Sequence, residues 1–125
     1  MTAVELRASG VLMLSREIVH SVMSDKDIAV LFDDELKYSL INSAACKQLN
    51  RTSESLMGKC ILDLYPEITA SENHRNLLRA LEGDIVNEVI PGSRGEYFRS
   101  IYRPVSFLGK ITHVLVKASK IRASV

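Results

Sequence analysis

A chain of 125 residues is the length of a single domain, and 46% hydrophobic with 25% charged residues is the composition of a packed globular protein. A formal net charge of +1 excludes the strong fields that hold nucleic acid or an anionic membrane. The two cysteines are too few for a disulfide framework, and the early run "VLML" is far short of the roughly 20 apolar residues that cross a bilayer. The expectation is a soluble, cytoplasmic domain, with neither nucleic acid nor membrane among its partners.

The first element is an amphipathic helix. From Val4 to Met23 there is no proline, and Val4, Val11 and Ile18 recur seven apart, with Leu14 and Val22 close to the same face. Gly10 weakens it. Such a stripe needs a partner, either the rest of the domain or a second copy, so Val4, Val11, Leu14, Ile18 and Val22 are candidate dimer-interface residues. Domain bounds follow: an N-terminal helix over 1–24, broken by "SDKD", and a globular unit over 25–125.

Ile28, Val30 and Phe32 alternate, the acidic run Asp33-Asp34-Glu35 turns the chain, and Tyr38 to Ile41 resume in β-favouring residues, which predicts a hairpin. Asn42 stands where a helix N-cap is wanted, and Ala45 and Leu49, four apart, give the next helix one inward face. Ser53 is set to cap a short turn that Gly58 ends, before the apolar anchors Leu62, Leu64 and Tyr65. Thr69 and Glu72 have capping-box spacing, opening a helix with His74, Leu77, Leu78 and Leu81 on one face and an end near Gly83. Three strands close the chain: "DIVNEVI", "EYFRSIYRPVSF" and "ITHVLVKASKI". The last is apolar on both faces, which predicts cover on both sides of the sheet. The fold class is α+β with an antiparallel sheet.

These pieces in this order resemble a PAS domain. The resemblance rests on "VLFDDELKYSLINSAACKQL", "SESLMGKCILDLYPE", "RNLLRALEGD" and "EYFRSIYRPVSFLGKITHVLVKASKI", and covers about Ile28 to Ile121. It implies a five-stranded antiparallel sheet in the order 2-1-5-4-3 with helices across one face, enclosing a pocket. It also implies a sensory or dimerising role in bacterial signal transduction, two-component systems or transcriptional control. A homodimer, a small-molecule ligand and an output domain in a longer chain or partner protein are the partners it suggests. One departure is the ending "SKIRASV", which lacks the Asp-Ile-Thr-like stretch of many PAS domains that pass a signal onward.

For the implied pocket, the apolar lining expected is Val30, Ala45, Leu49, Leu62, Leu78, Leu81, Ile101 and Val114, with Tyr38, Asn42, His74 and Arg99 as the polar groups. This lining is close to that of a closed core, so a filled interior is favoured over a bound ligand. His74 sits where haem-binding PAS domains carry an axial ligand, yet a lone His on an apolar face is ordinarily structural. Cys60 lies in "GKCILDLYPE", without the neighbouring amides of flavin-binding relatives, and reads as a small buried hydrophobe, as does Cys46. Neither haem nor flavin is favoured, and the three histidines and two cysteines have no zinc-site spacing. No phosphate loop, nucleophile elbow or H-E-x-x-H is present, so no catalytic residue is nominated and the chain is read as a non-enzyme.

Overall fold

A computed structural model of the chain describes residues 16–67, 71–91 and 95–121. Helix α1 (Arg16–Met23) leads into β1 (Ile28–Asp33) and β2 (Tyr38–Ile41). Three short helices follow, α2 (Ser43–Leu49), α3 (Ser53–Leu56) and α4 (Ile61–Leu64), and then α5 (Glu72–Leu81). Strands β3 (Val86–Pro91), β4 (Tyr97–Phe107) and β5 (Lys110–Ile121) finish the fold. The five strands form one antiparallel sheet in the order β2-β1-β5-β4-β3, the order that the resemblance to PAS domains implies.

Local chemistry sets the turns. Asp33 Oδ1 accepts from the Glu35 and Lys37 N–H groups, each at 2.9 Å, so the first acid of the charged run builds the hairpin turn while Asp34 and Glu35 stay exposed. At the β4–β5 turn Leu108 and Gly109 take φ of 53° and 80°, the pair of positive values that a two-residue hairpin of this twist requires. Thr52, not Ser53, caps α3, accepting from the Ser55 N–H at 3.2 Å. Thr69 lies outside the described residues. The cap of α5 is Ser71, whose Oγ accepts from the His74 N–H at 3.3 Å, and Glu72 is therefore the first helical residue and not the third of a capping box.

The strand register sorts side chains between two faces, because partners across an antiparallel pair share a face and successive residues alternate. One row crosses all five strands as Ile41, Val30, Val116, Tyr102 and Val86. It belongs to the main core, closed above by Ala45, Leu56, Ile61, Leu77 and Ala80 from α2 to α5. The adjacent row, Leu40, Leu31, Leu115 and Arg103, lies on the outer face. There α1 buries Val22 against Ala29 and Leu31, with Ile18, Val19 and Leu40 packed around them. Both faces of β5 are used, but α1 covers only part of the outer one. Of the candidate interface residues, Val4, Val11 and Leu14 lie outside the described residues; Val22 is fully buried on its own sheet, and Ile18 half-buried beside it.

Candidate functional site

The residues nominated from sequence do not line one space. Val30, Tyr38, Ala45 and Val114 meet in the main core, with Leu49, Leu62 and Leu81 partly buried around them. Leu78 is 43% exposed. Ile101 and Arg99 face Lys117 and Ser119 in register, and Lys117 faces Ala29, so both belong to the outer face, across the sheet from Val30. The two strand faces carry similar apolar content, so the strand sequence does not reveal which face of the implied pocket's sheet Arg99 and Ile101 take.

Asn42 is fully buried, yet it lines nothing. Its Oδ1 accepts from Ala45 N–H at 3.0 Å and Ala29 N–H at 3.2 Å, and its Nδ2 donates to the Asp27 carbonyl at 2.7 Å and the Asp25 carbonyl at 3.3 Å. Every polar atom of the side chain is committed to backbone, so it caps α2 and fastens the α1–β1 connection to β1. Tyr38 packs its ring 4.8 Å from that of Phe32, and burial, with Tyr65 nearby, pushes its phenol up to about 12. It is a neutral core residue at physiological pH.

His74 is half-buried, and the face of α5 turned to the core is Asn76, Leu77 and Ala80. The side chains beneath that face are closed by Tyr102 and Val114, each no more than 1% exposed. A haem ring has no hollow there to enter, and these residues do not fit that group. Cys60 Sγ lies 3.5 Å from the Glu35 carbonyl and stands at the N-terminus of α4. Among the described residues no group of three His, Cys, Asp or Glu side chains is placed to hold a metal ion.

Sequence reading missed a polar chain under α5. Asn73 Nδ2 donates to the Tyr102 hydroxyl at 2.9 Å, and that hydroxyl donates to Glu88 Oε2 at 2.9 Å. Asn76, 5% exposed, lies beside the phenol, and Ser100, 6% exposed, faces Glu88 in register. Burial, followed by the Glu88 carboxylate, holds the Tyr102 phenol far above its ordinary range, so it remains an O–H donor. The chain ties α5, β4 and β3 together through directed bonds. Its one sequence signal was the pair Asn73 and Asn76, three apart beside Leu77 on a helix face that is otherwise apolar.

Two open concavities lie outside the main core. One, about 320 Å³, runs on the outer face between α1 and the strands, floored by Ile101 and Leu115 and edged by Ser21, Arg103 and Lys117. The other, about 640 Å³, is a surface hollow over α2 and α3, including Cys46, Lys47 and Arg51. Lys117 is already engaged, donating to Ser21 Oγ at 2.7 Å and pairing with Asp25 at 3.1 Å.

The family model described as the PAS fold matches residues 22–124. This chain belongs to the PAS fold family. Solved structures agree on the fold. The PAS domain of BvgS from Bordetella pertussis superposes with a TM-score of 0.71 at 17% identity, covering 86% of each chain. A sensory box sensor histidine kinase from Vibrio cholerae gives 0.69 at 18% identity, covering 98% of this chain and 100% of that one. A domain of an HTR-like protein from Haloarcula marismortui gives 0.62 at 16%, covering 78% and 100%. A search of curated proteins finds no sequence match. No helix among the described residues of this PAS domain is long and apolar enough to cross a membrane.

Proposed function

We propose that this PAS domain is a non-catalytic, cytoplasmic regulatory module of bacterial signal transduction or transcriptional control. It works with its core filled by its own side chains and acts through association with a second copy and with an output partner. The observation that carries this reading is the closed inner face: Leu56, Leu77 and Val114 are fully buried and Tyr102 is 1% exposed, where a ligand-holding PAS domain keeps a hollow. The sensory role is supported by the family and by the resemblance to the Vibrio cholerae sensor histidine kinase.

A second reading has its own support. The chain Asn73–Tyr102–Glu88 offers donors and an acceptor under α5, which a small polar ligand would engage on displacing part of the core. Sedimentation over a wide concentration range and a thermal-shift screen against small metabolites separate the two. The proposed reading expects reversible self-association and no ligand that raises the melting temperature through the Tyr102 chain. A ligand whose shift vanishes in Tyr102→Phe would favour the second.

A further inference from the structure

The two edges of the sheet are finished differently. At the β2 edge the segment after α3 lies alongside: Tyr38 N–H donates to the Lys59 carbonyl at 3.1 Å, and Gly58 N–H donates to the Tyr38 carbonyl at 2.8 Å. Gly58, at φ 76°, makes that return run possible. At the other edge, β3 pairs with β4 alone, and no described segment covers its free side. Along it Val89 is 56% exposed and Ile90 40%, with Ile85 just before it at 57%. An open strand edge presents a row of N–H and C=O groups that another extended strand pairs with, Pro91 at the end of β3 offering only its carbonyl. The charges that commonly guard such an edge are missing. The one charged side chain in β3, Glu88, is engaged by the Tyr102 hydroxyl.

We propose that β3 is a self-association edge, where a second copy adds its own β3 antiparallel and extends the sheet across a two-fold axis. This rests on the homodimer reading above and names the surface for it. The described part of α1 offers little to a partner, since it buries Val22 wholly and Ile18 in part on its own sheet.

The occupant is a copy of this chain because β3 complements itself in one register. Residues opposed across an antiparallel pair share a sheet face, so a two-fold pairing must centre on a residue. Centred on Glu88, it opposes two carboxylates. Centred on Asn87, only residues 86–88 of β3 oppose one another, because Asp84 and Ile85 precede the strand, whereas a centre at Val89 overlaps residues 87–91. Centred on Val89, it joins Val89 to Val89, sets Glu88 against Ile90 and Asn87 against Pro91, and brings no like charges together. Tyr97, 48% exposed and on the same outer face as Val89, adds apolar surface beside the axis. One six-residue edge buries less than the roughly 1,600 Å² of a standard interface, so the dimer is weak and concentration-dependent.

Sedimentation equilibrium of the wild type and of Val89→Lys tests this, with cysteine trapping of Val89→Cys and Asn87→Cys in a chain carrying Cys46→Ser and Cys60→Ser. Circular dichroism checks that each variant is folded. We expect wild-type dimerisation, at least about a tenfold weakening in Val89→Lys from opposed like charges, and faster intermolecular disulfide formation at position 89 than at 87. A wild type that stays monomeric to millimolar concentration overturns both this surface and the homodimer reading. A dimer that Val89→Lys leaves intact, with no trapping at 89, overturns the β3 surface alone. Faster trapping at 87 overturns the Val89-centred register.

Discussion

The two faces of the sheet share one backbone and a similar apolar content, yet they are finished in different ways. The inner face is closed by α2 to α5 along the row Ile41, Val30, Val116, Tyr102 and Val86, and its Tyr102 hydroxyl is held by Asn73 and Glu88. The outer face is covered by α1 over β1 and its neighbours, and gives way to exposed side chains at Val89, Tyr97 and Arg99. The lesson is that apolar content does not locate the core. Cover does, and cover is supplied by helices whose own caps and turns fix where they lie.

Truncations across the two faces should therefore differ most. Leu77→Ala, beneath α5, is expected to cost about 3–4 kcal/mol in chemical denaturation, while Ile101→Ala on the outer face should cost about 1 kcal/mol; equal losses would erase the distinction. Asn42→Ala touches both faces at once, since it removes the α2 cap and the bonds to Ala29, Asp25 and Asp27. A loss of about 2–3 kcal/mol is expected, and a change below 0.5 kcal/mol would show that backbone and solvent replace those bonds.

Tyr102→Phe should cost about 1–2 kcal/mol by leaving Asn73 and Glu88 without their shared partner. Hydrogen exchange should rise in α5 and β3 together if the polar chain couples them, and in neither if it does not.

The outer face also carries a proton-sensitive residue. His113 is 9% exposed and faces Asp33 and Val105 in register, with Nδ1 2.8 Å from Thr112 Oγ1. Burial lowers its affinity for a proton, opposed in part by Asp33 and Asp34. The unfolded chain then binds the proton more readily, so the stability His113 contributes is present above about pH 6.5 and is lost as pH falls towards its depressed folded value. Melting temperature measured from pH 7.5 to pH 5 should fall less steeply in His113→Asn than in wild type; parallel curves would remove His113 from the account. The smallest effect expected is a gain of about 0.5 kcal/mol in Leu108→Asn, because Leu108 holds φ 53° and is 89% exposed in a turn that favours Asn.

Much of this was readable beforehand, for identifiable reasons. The hairpin at Asp33, the Asn42 cap and the closing strands rest on local chemistry, and the sheet order followed from the resemblance to PAS domains. The candidate pocket was read less well. Arg99 and Ile101 were assigned to the wrong side because strands buried on both faces give no parity signal. Leu78 was placed inward from a run of leucines, whereas Asn76, Leu77 and Ala80 form the buried face of α5. Glu88 and Tyr102 look like surface residues in sequence, and only the pairing of β3 with β4 beneath α5 brings them to Asn73.

The central claim is that the chain's own side chains fill the space where other PAS domains hold a ligand. Native mass spectrometry of protein purified without unfolding, with the absorption spectrum of the same sample, tests it most directly. The account predicts the mass of the bare chain or a whole multiple of it, and no absorption beyond that of tyrosine. A retained small molecule, or a Soret or flavin band, would contradict it.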